Sequence, residues 1–151
     1  MRIVPSESEH PLTDAEYESL ARFRFALRNF LAFSESAARD HGLTPAQHQL
    51  LLAVRGAEAG AGPPSISVIA DQLQVRLHSA GELVARAVDN GVLERHVDPD
   101  DARRTLVATT ALGRARLEDL SVLHRRELRR FRTEMHQLLG SIDPEPDGAG
   151  A

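Results

Sequence analysis

The chain has 151 residues, a formal net charge of −4, 42% apolar side chains and no cysteine. That length and apolar content suit one globular domain with a core of its own. The missing cysteine excludes disulfides, thiolate metal sites, cysteine nucleophiles and thiol redox sensing, and a slightly acidic chain has no bulk attraction for a polyanion, so any nucleic-acid role must rest on charge placement. No apolar run approaches the ~18 residues of a membrane span, and the first residues lack a signal-peptide core, so a cytoplasmic protein without a membrane partner is expected. All 18 basic residues are Arg. With the abundant Ala, Gly and Pro this is what a GC-rich genome encodes, yet each guanidinium is a planar fork of donors suited to phosphate and guanine edges.

Residues 1–12 are polar and proline-punctuated and read as a flexible tail. Thr13-Asp14-Ala15-Glu16 has capping-box spacing. From there Tyr17, Leu20, Phe23, Leu27, Phe30 and Leu31 recur at helical spacing up to His41-Gly42, where glycine ends a helix readily. Thr44-Pro45-Ala46-Gln47 repeats the start signal, and Leu50, Leu51, Leu52 and Val54 follow. Residues 56–64, GAEAGAGPP, read as a loop. Ser67 is placed to cap a short helix carrying Val68, Ile69, Ala70 and Leu73, and a further helix is predicted from about Leu77 to Asp89, ahead of Asn90-Gly91. Two short helices so closely spaced suggest a helix-turn-helix.

Val92 to Val97 is strand-like, Asp98-Pro99-Asp100-Asp101 is rich in turn formers, and Thr105 to Thr109 reads as the returning strand, giving a β-hairpin with a charged tip. Thr110 is placed to cap a last helix carrying Leu117, Leu120, Leu123, Leu128, Phe131, Met135, Leu138 and Ile142. From Leu128 onward its apolar spacing is that of a heptad seam. Residues 143–151, rich in Pro, Gly and acid, read as a disordered tail.

The order of elements is that of a winged helix-turn-helix between helical arms: mainly α, with a small hairpin wing. The stretch Leu73 to Gly113 resembles the DNA-binding lobe of the MarR (multiple antibiotic resistance regulator) family. Three ordered motifs carry the resemblance: Gly91-Val92-Leu93-Glu94-Arg95 leading into the wing, Asp101-Ala102-Arg103 at the wing, and Thr110-Ala111-Leu112-Gly113 opening the last helix. The layout extends the likeness over residues 13–142, with dimerisation arms at about 13–42 and 111–142 and a DNA-binding lobe at about 44–110.

The resemblance implies a sequence-specific regulator of transcription, a ligand-responsive repressor that binds a pseudo-palindromic operator in double-stranded DNA as a homodimer. It places the second short helix in the major groove and Arg103 in the minor groove or on its phosphates, with Asp101 bracing the hairpin and orienting the guanidinium. Arg104 stands beside it. The bland alternative is an exposed Asp101–Arg103 turn pair. In the recognition helix the polar positions are Arg76, His78, Ser79, Glu82 and Arg86, whereas Leu83, Val84, Ala87 and Val88 face a core. Glu82 either accepts from a cytosine amine or holds Arg86 or Arg76 in place. Many family members have a Ser or Thr cap and a Val where this chain has Arg76 and Gly81, and that glycine either allows close approach to DNA or is merely tolerated. Leu20, Leu27, Leu128, Phe131, Met135, Leu138 and Ile142 are assigned to the dimer arms. A small aromatic or phenolic effector is implied, for which Phe23, Arg28, His41 and His48 are the candidate contacts.

Arg125, Arg126, Arg129, Arg130 and Arg132 form a basic cluster that reads as a solvated face, or else flanks the dimer seam or a ligand cleft. No metal-ligand set, phosphate loop or nucleophile elbow stands in the sequence, so no cofactor and no enzymatic activity are expected. The rival reading is a winged-helix protein-interaction module that does not bind DNA, because residues 76–104 hold five Arg against six acids.

Overall fold

A computed structural model describes residues 10–142. The tail assigned to residues 1–12 lies mostly, and that of 143–151 wholly, outside the described residues. The elements are α1 (Asp14–Asp40), α2 (Pro45–Ala59), α3 (Ile66–Leu73), α4 (Leu77–Asp89), β1 (Leu93–Val97), β2 (Thr105–Thr109) and α5 (Ala111–Ile142). This is the mainly helical winged architecture expected from the sequence. Two compact units share it, one built from residues 33–125 and the other from the described residues before 33 and after 125.

Both early start signals act as capping boxes. The Thr13 amide donates to Glu16 Oε2 at 2.6 Å while Thr13 Oγ1 accepts from the Glu16 amide at 3.3 Å. Thr44 and Gln47 make the same reciprocal pair at the head of α2, with Pro45 in the first turn. Such boxes satisfy amides that a helix start leaves without partners.

Helix α2 runs past the expected break at Gly56 and ends only at Ala59. One interior glycine costs about 1 kcal/mol, which Ala57, Glu58 and Ala59 tolerate as strong helix formers. Glu58 adds a tertiary anchor: its carboxylate accepts from the Thr109 amide and hydroxyl, both at 2.7 Å. The cap of α3 is also corrected. Ser65, not Ser67, accepts from the Val68 amide at 3.3 Å. After a bend at Pro63 the backbone is extended at Ser65, and this stretch pairs with β2, the Val107 amide donating to the Pro64 carbonyl at 2.9 Å.

In the unit of residues 33–125 the core is continuous. Leu50, Leu51 and Val54 of α2, Ile69 of α3, Val84 and Ala87 of α4, Val92, Leu93 and Val107 of the hairpin and Leu117 and Leu120 of α5 are buried together. The strands β1 and β2 are antiparallel, with Leu93 opposite Thr109 and Val97 opposite Thr105. In the other unit the Phe30 and Phe131 rings meet at 5.0 Å, Met135 is buried, and Ser141 Oγ donates to Ser19 Oγ at 2.9 Å.

Two of the three motifs interlock at the base of the wing. Gly91 leaves α4 with φ +75°, a conformation that favours glycine. Its carbonyl accepts from the Thr110 hydroxyl at 2.6 Å, and Thr110 Oγ1 in turn accepts from the Gly113 amide at 3.1 Å. A Cβ on Gly113 would collide with the Val92 carbonyl oxygen and stand 3.1 Å from the carbonyl carbon. The glycine therefore lets the first turn of α5 rest directly on the strand-entry backbone.

Candidate nucleic-acid interface

The candidate surface is made by α4 and the hairpin tip. Buried Ala80, Val84 and Ala87 fix one face of α4 on the core, with Leu83 and Val88 packed at its margins. The opposite side presents Arg76, His78, Glu82 and Arg86 to solvent, with Ser79 half-buried. Arg76 stands at the N-cap in extended backbone and makes no side-chain cap bond. Glu82 meets His78, not an arginine: its Oε1 lies 3.4 Å from His78 Nε2 one turn earlier. This pair carries full ionic character only when the imidazole is protonated.

The hairpin tip is a closed set of side-chain and backbone bonds. Asp98 is buried, and its carboxylate accepts from the Asp100 amide at 2.9 Å, an Asx turn that starts the reversal. The Asp98 amide donates to the Arg104 carbonyl at 3.0 Å, and Arg104 Nη1 lies 3.8 Å from Asp98 Oδ2. Next, Asp101 Oδ1 accepts from both the amide and Nε of Arg103, at 3.0 and 3.1 Å. These bonds, first the guanidinium's and then the amide's, hold the Asp101 carboxyl below its ordinary pKa, with Arg104 adding attraction against a small cost of desolvation. The Arg103 side chain is 91% exposed. The acid beside it fixes the base of a guanidinium that otherwise projects into solvent.

The other sequence-predicted residues fall in separate places. Leu27, Phe131, Leu138 and Ile142 are half-buried within the unit of the two arms, whereas Leu20 and Leu128 are exposed. Phe23 and Arg28 lie on α1 in that unit, the first half-buried and the second exposed. His41 and His48 belong to the other unit. His41 Nδ1 bonds the Ala37 carbonyl at 2.8 Å and so closes the end of α1.

His48 is buried, and the ring on it is that of His124 from α5, at a centroid distance of 5.0 Å. Desolvation, with the charge of His124 second, lowers the His48 pKa to about 4. His124 Nδ1 lies 2.8 Å from the Leu120 carbonyl, and its Nε2 2.7 Å from Ser34 Oγ, with Phe33 edge-on to the ring at 6.0 Å. A carbonyl only accepts, so Nδ1 carries the proton and, in the neutral ring, Nε2 accepts from the serine hydroxyl. The sequence reading missed His124. Its signal was the 117, 120, 124 spacing, which continues the buried stripe of α5 by one more step. Arg125, Arg126, Arg129, Arg130 and Arg132 are all exposed, in keeping with a solvated face.

Fold and surface together define a winged helix-turn-helix protein with long helical arms. The sequence model of the MarR family matches residues 41–104, and the chain has the fold of that family's transcription regulators. AbsC, a MarR family transcriptional regulator from Streptomyces coelicolor, is 17% identical with a TM-score of 0.67, the match covering 84% of each chain. CouR from Rhodococcus jostii RHA1, solved with p-coumaroyl-CoA bound, is 19% identical over 89% of this chain and 99% of its own, with a TM-score of 0.66. A probable transcriptional regulator from Pseudomonas aeruginosa is 27% identical over 78% of this chain and 88% of its own, with a TM-score of 0.60. No curated protein matches the chain. Among the described residues no helix is long and apolar enough to cross a membrane.

Proposed function

We propose that the chain is a sequence-specific regulator of transcription that binds double-stranded DNA, not an enzyme, and that it works in the cytoplasm as a homodimer on a pseudo-palindromic operator. It represses there, and a small aromatic or phenolic ligand releases it. The observation that carries this reading is the wing tip, where Arg103 projects 91% exposed from a turn that Asp101 braces through two bonds. A guanidinium oriented in advance loses less freedom on meeting a phosphate or a narrow minor groove than a loose one does. Charge placement thereby answers the unfavourable charge sum of the lobe.

Arg76, His78, Ser79, Glu82 and Arg86 of α4 supply the major-groove face, and Arg104 adds a phosphate contact beside the wing. Exposed Leu20 and Leu128 on the arms support a second copy as partner. A two-fold dimer would present its recognition helices about one helical turn, ~34 Å, apart. The solved likeness of CouR with an aromatic acyl thioester supports an aromatic effector, which shifts the population toward a conformer that does not fit the operator. A gel-shift titration on the DNA upstream of the chain's own gene tests the reading. A retarded complex that random DNA does not compete away is expected. Equal, weak retention of both DNAs, or none, would favour the protein-interaction module instead.

A further inference from the structure

Gly81 lies in the second turn of α4, and a Cβ added there would meet no atom within 4 Å. Its φ is not positive either. Nothing in the fold requires a bare position, although glycine inside a helix is less stable than alanine. Helical side chains lean toward the N-terminus, so the residue at i+4 covers the turn before it. With no side chain at 81, the turn that holds Leu77 stays open, and Leu77 is 61% exposed. Its neighbours on the chain, Arg76 and His78, are exposed and polar. With Val75 just before it also 37% exposed, the apolar spot at Leu77 is still far smaller than the several hundred Å² of an apolar protein-docking patch. It matches instead one methyl group on an otherwise polar surface, which is what the C5-methyl of thymine presents in the major groove.

We propose that Leu77, reached across the bare turn at Gly81, reads a thymine methyl group in each half-site of the operator. This rests on the DNA-binding reading above and names the base that α4 selects. Gly81 then serves recognition at the expense of helix stability, since a side chain there would stand between Leu77 and the base edge.

The test uses an operator recovered by selection from a random DNA pool, with each thymine replaced in turn by deoxyuridine, which removes only the methyl group. Wild-type protein should lose about fourfold in affinity, the worth of one buried methyl group, at one symmetry-related thymine per half-site. Leu77→Ala should bind more weakly but be indifferent to that replacement. Gly81→Ala should melt higher than wild type and bind the operator less tightly, opposite signs that a tolerated glycine would not give. If the wild type is indifferent to every deoxyuridine, or Leu77→Ala keeps the wild-type loss, the assignment of Leu77 is overturned while operator binding itself stands. If the pool yields no enriched sequence, the DNA-binding reading fails and takes this inference with it.

Discussion

His48 makes the stability of the protein depend on pH in a way that can be worked out from its surroundings. Burial and the neighbouring His124 lower its pKa from 6.5 to about 4, so the folded state holds the ring neutral where the unfolded chain would already protonate it. Between those two values the unfolded chain binds the extra proton, and stability therefore rises with pH through the window. The full contribution is present above pH 6.5, falls as pH drops toward 4, and has gone below it. At 1.36 kcal/mol per pKa unit, moving from pH 7.5 to pH 5 should remove about 2 kcal/mol through this one group. Urea denaturation at the two pH values measures it directly. His48→Leu fills the site with an apolar side chain that does not titrate, and its own loss over the same interval should be smaller by that amount. The facing groups, His124 of α5 with Ser34 and Phe33 of α1, stay in place in both proteins, so the difference isolates His48. An equal loss in wild type and variant would refute the argument that this imidazole is held neutral.

Three further changes probe the frame around the site. Gly113→Ala should lower stability by about 1 to 3 kcal/mol or more, because its methyl group meets the Val92 carbonyl, and a melting temperature equal to wild type would contradict that close approach. Glu58→Gln weakens two charge-assisted bonds to Thr109 and should cost about 1 to 3 kcal/mol, read by urea denaturation, with no shift counting against the anchor. Phe131→Asp combined with Leu138→Asp should give unfolded or aggregated protein, and light scattering that found a stable monomer still able to bind DNA would refute the arm interface.

Local chemistry made much of this legible. Thr13 with Glu16 and Thr44 with Gln47 act three residues apart, so their spacing alone places the helix starts, and Gly91, Asp98 and Thr110 likewise mark the ends of α4 and the wing. Bonds between distant residues were not legible. Glu58 holds α2 together past Gly56 through Thr109, 51 positions away, and Ser65 outcompetes Ser67 as a cap because the preceding prolines and β2 already fix its backbone. His48 was singled out without its partner, since His124 joins it only when α5 packs on α2. Glu82 has His78 one helical turn before it and Arg86 one turn after it, so spacing alone left its partner open, and the structure pairs it with His78.

The central claim is that the wing is a finger aimed at DNA, and its most direct test is Arg103→Ala titrated against operator DNA at several salt concentrations, with melting temperatures alongside. A guanidinium in the minor groove or on its phosphates displaces counterions with little regard to base identity. The variant should therefore bind operator and random DNA more weakly alike, with a salt slope shallower by about one per wing, while fold and dimer stay intact. Asp101→Ala should do the same to a smaller degree, since it removes the brace and keeps the arginine. Unchanged affinity and an unchanged slope for Arg103→Ala, with only a slight drop in melting temperature, would contradict the claim and leave Asp101 and Arg103 as a solvent-exposed turn pair.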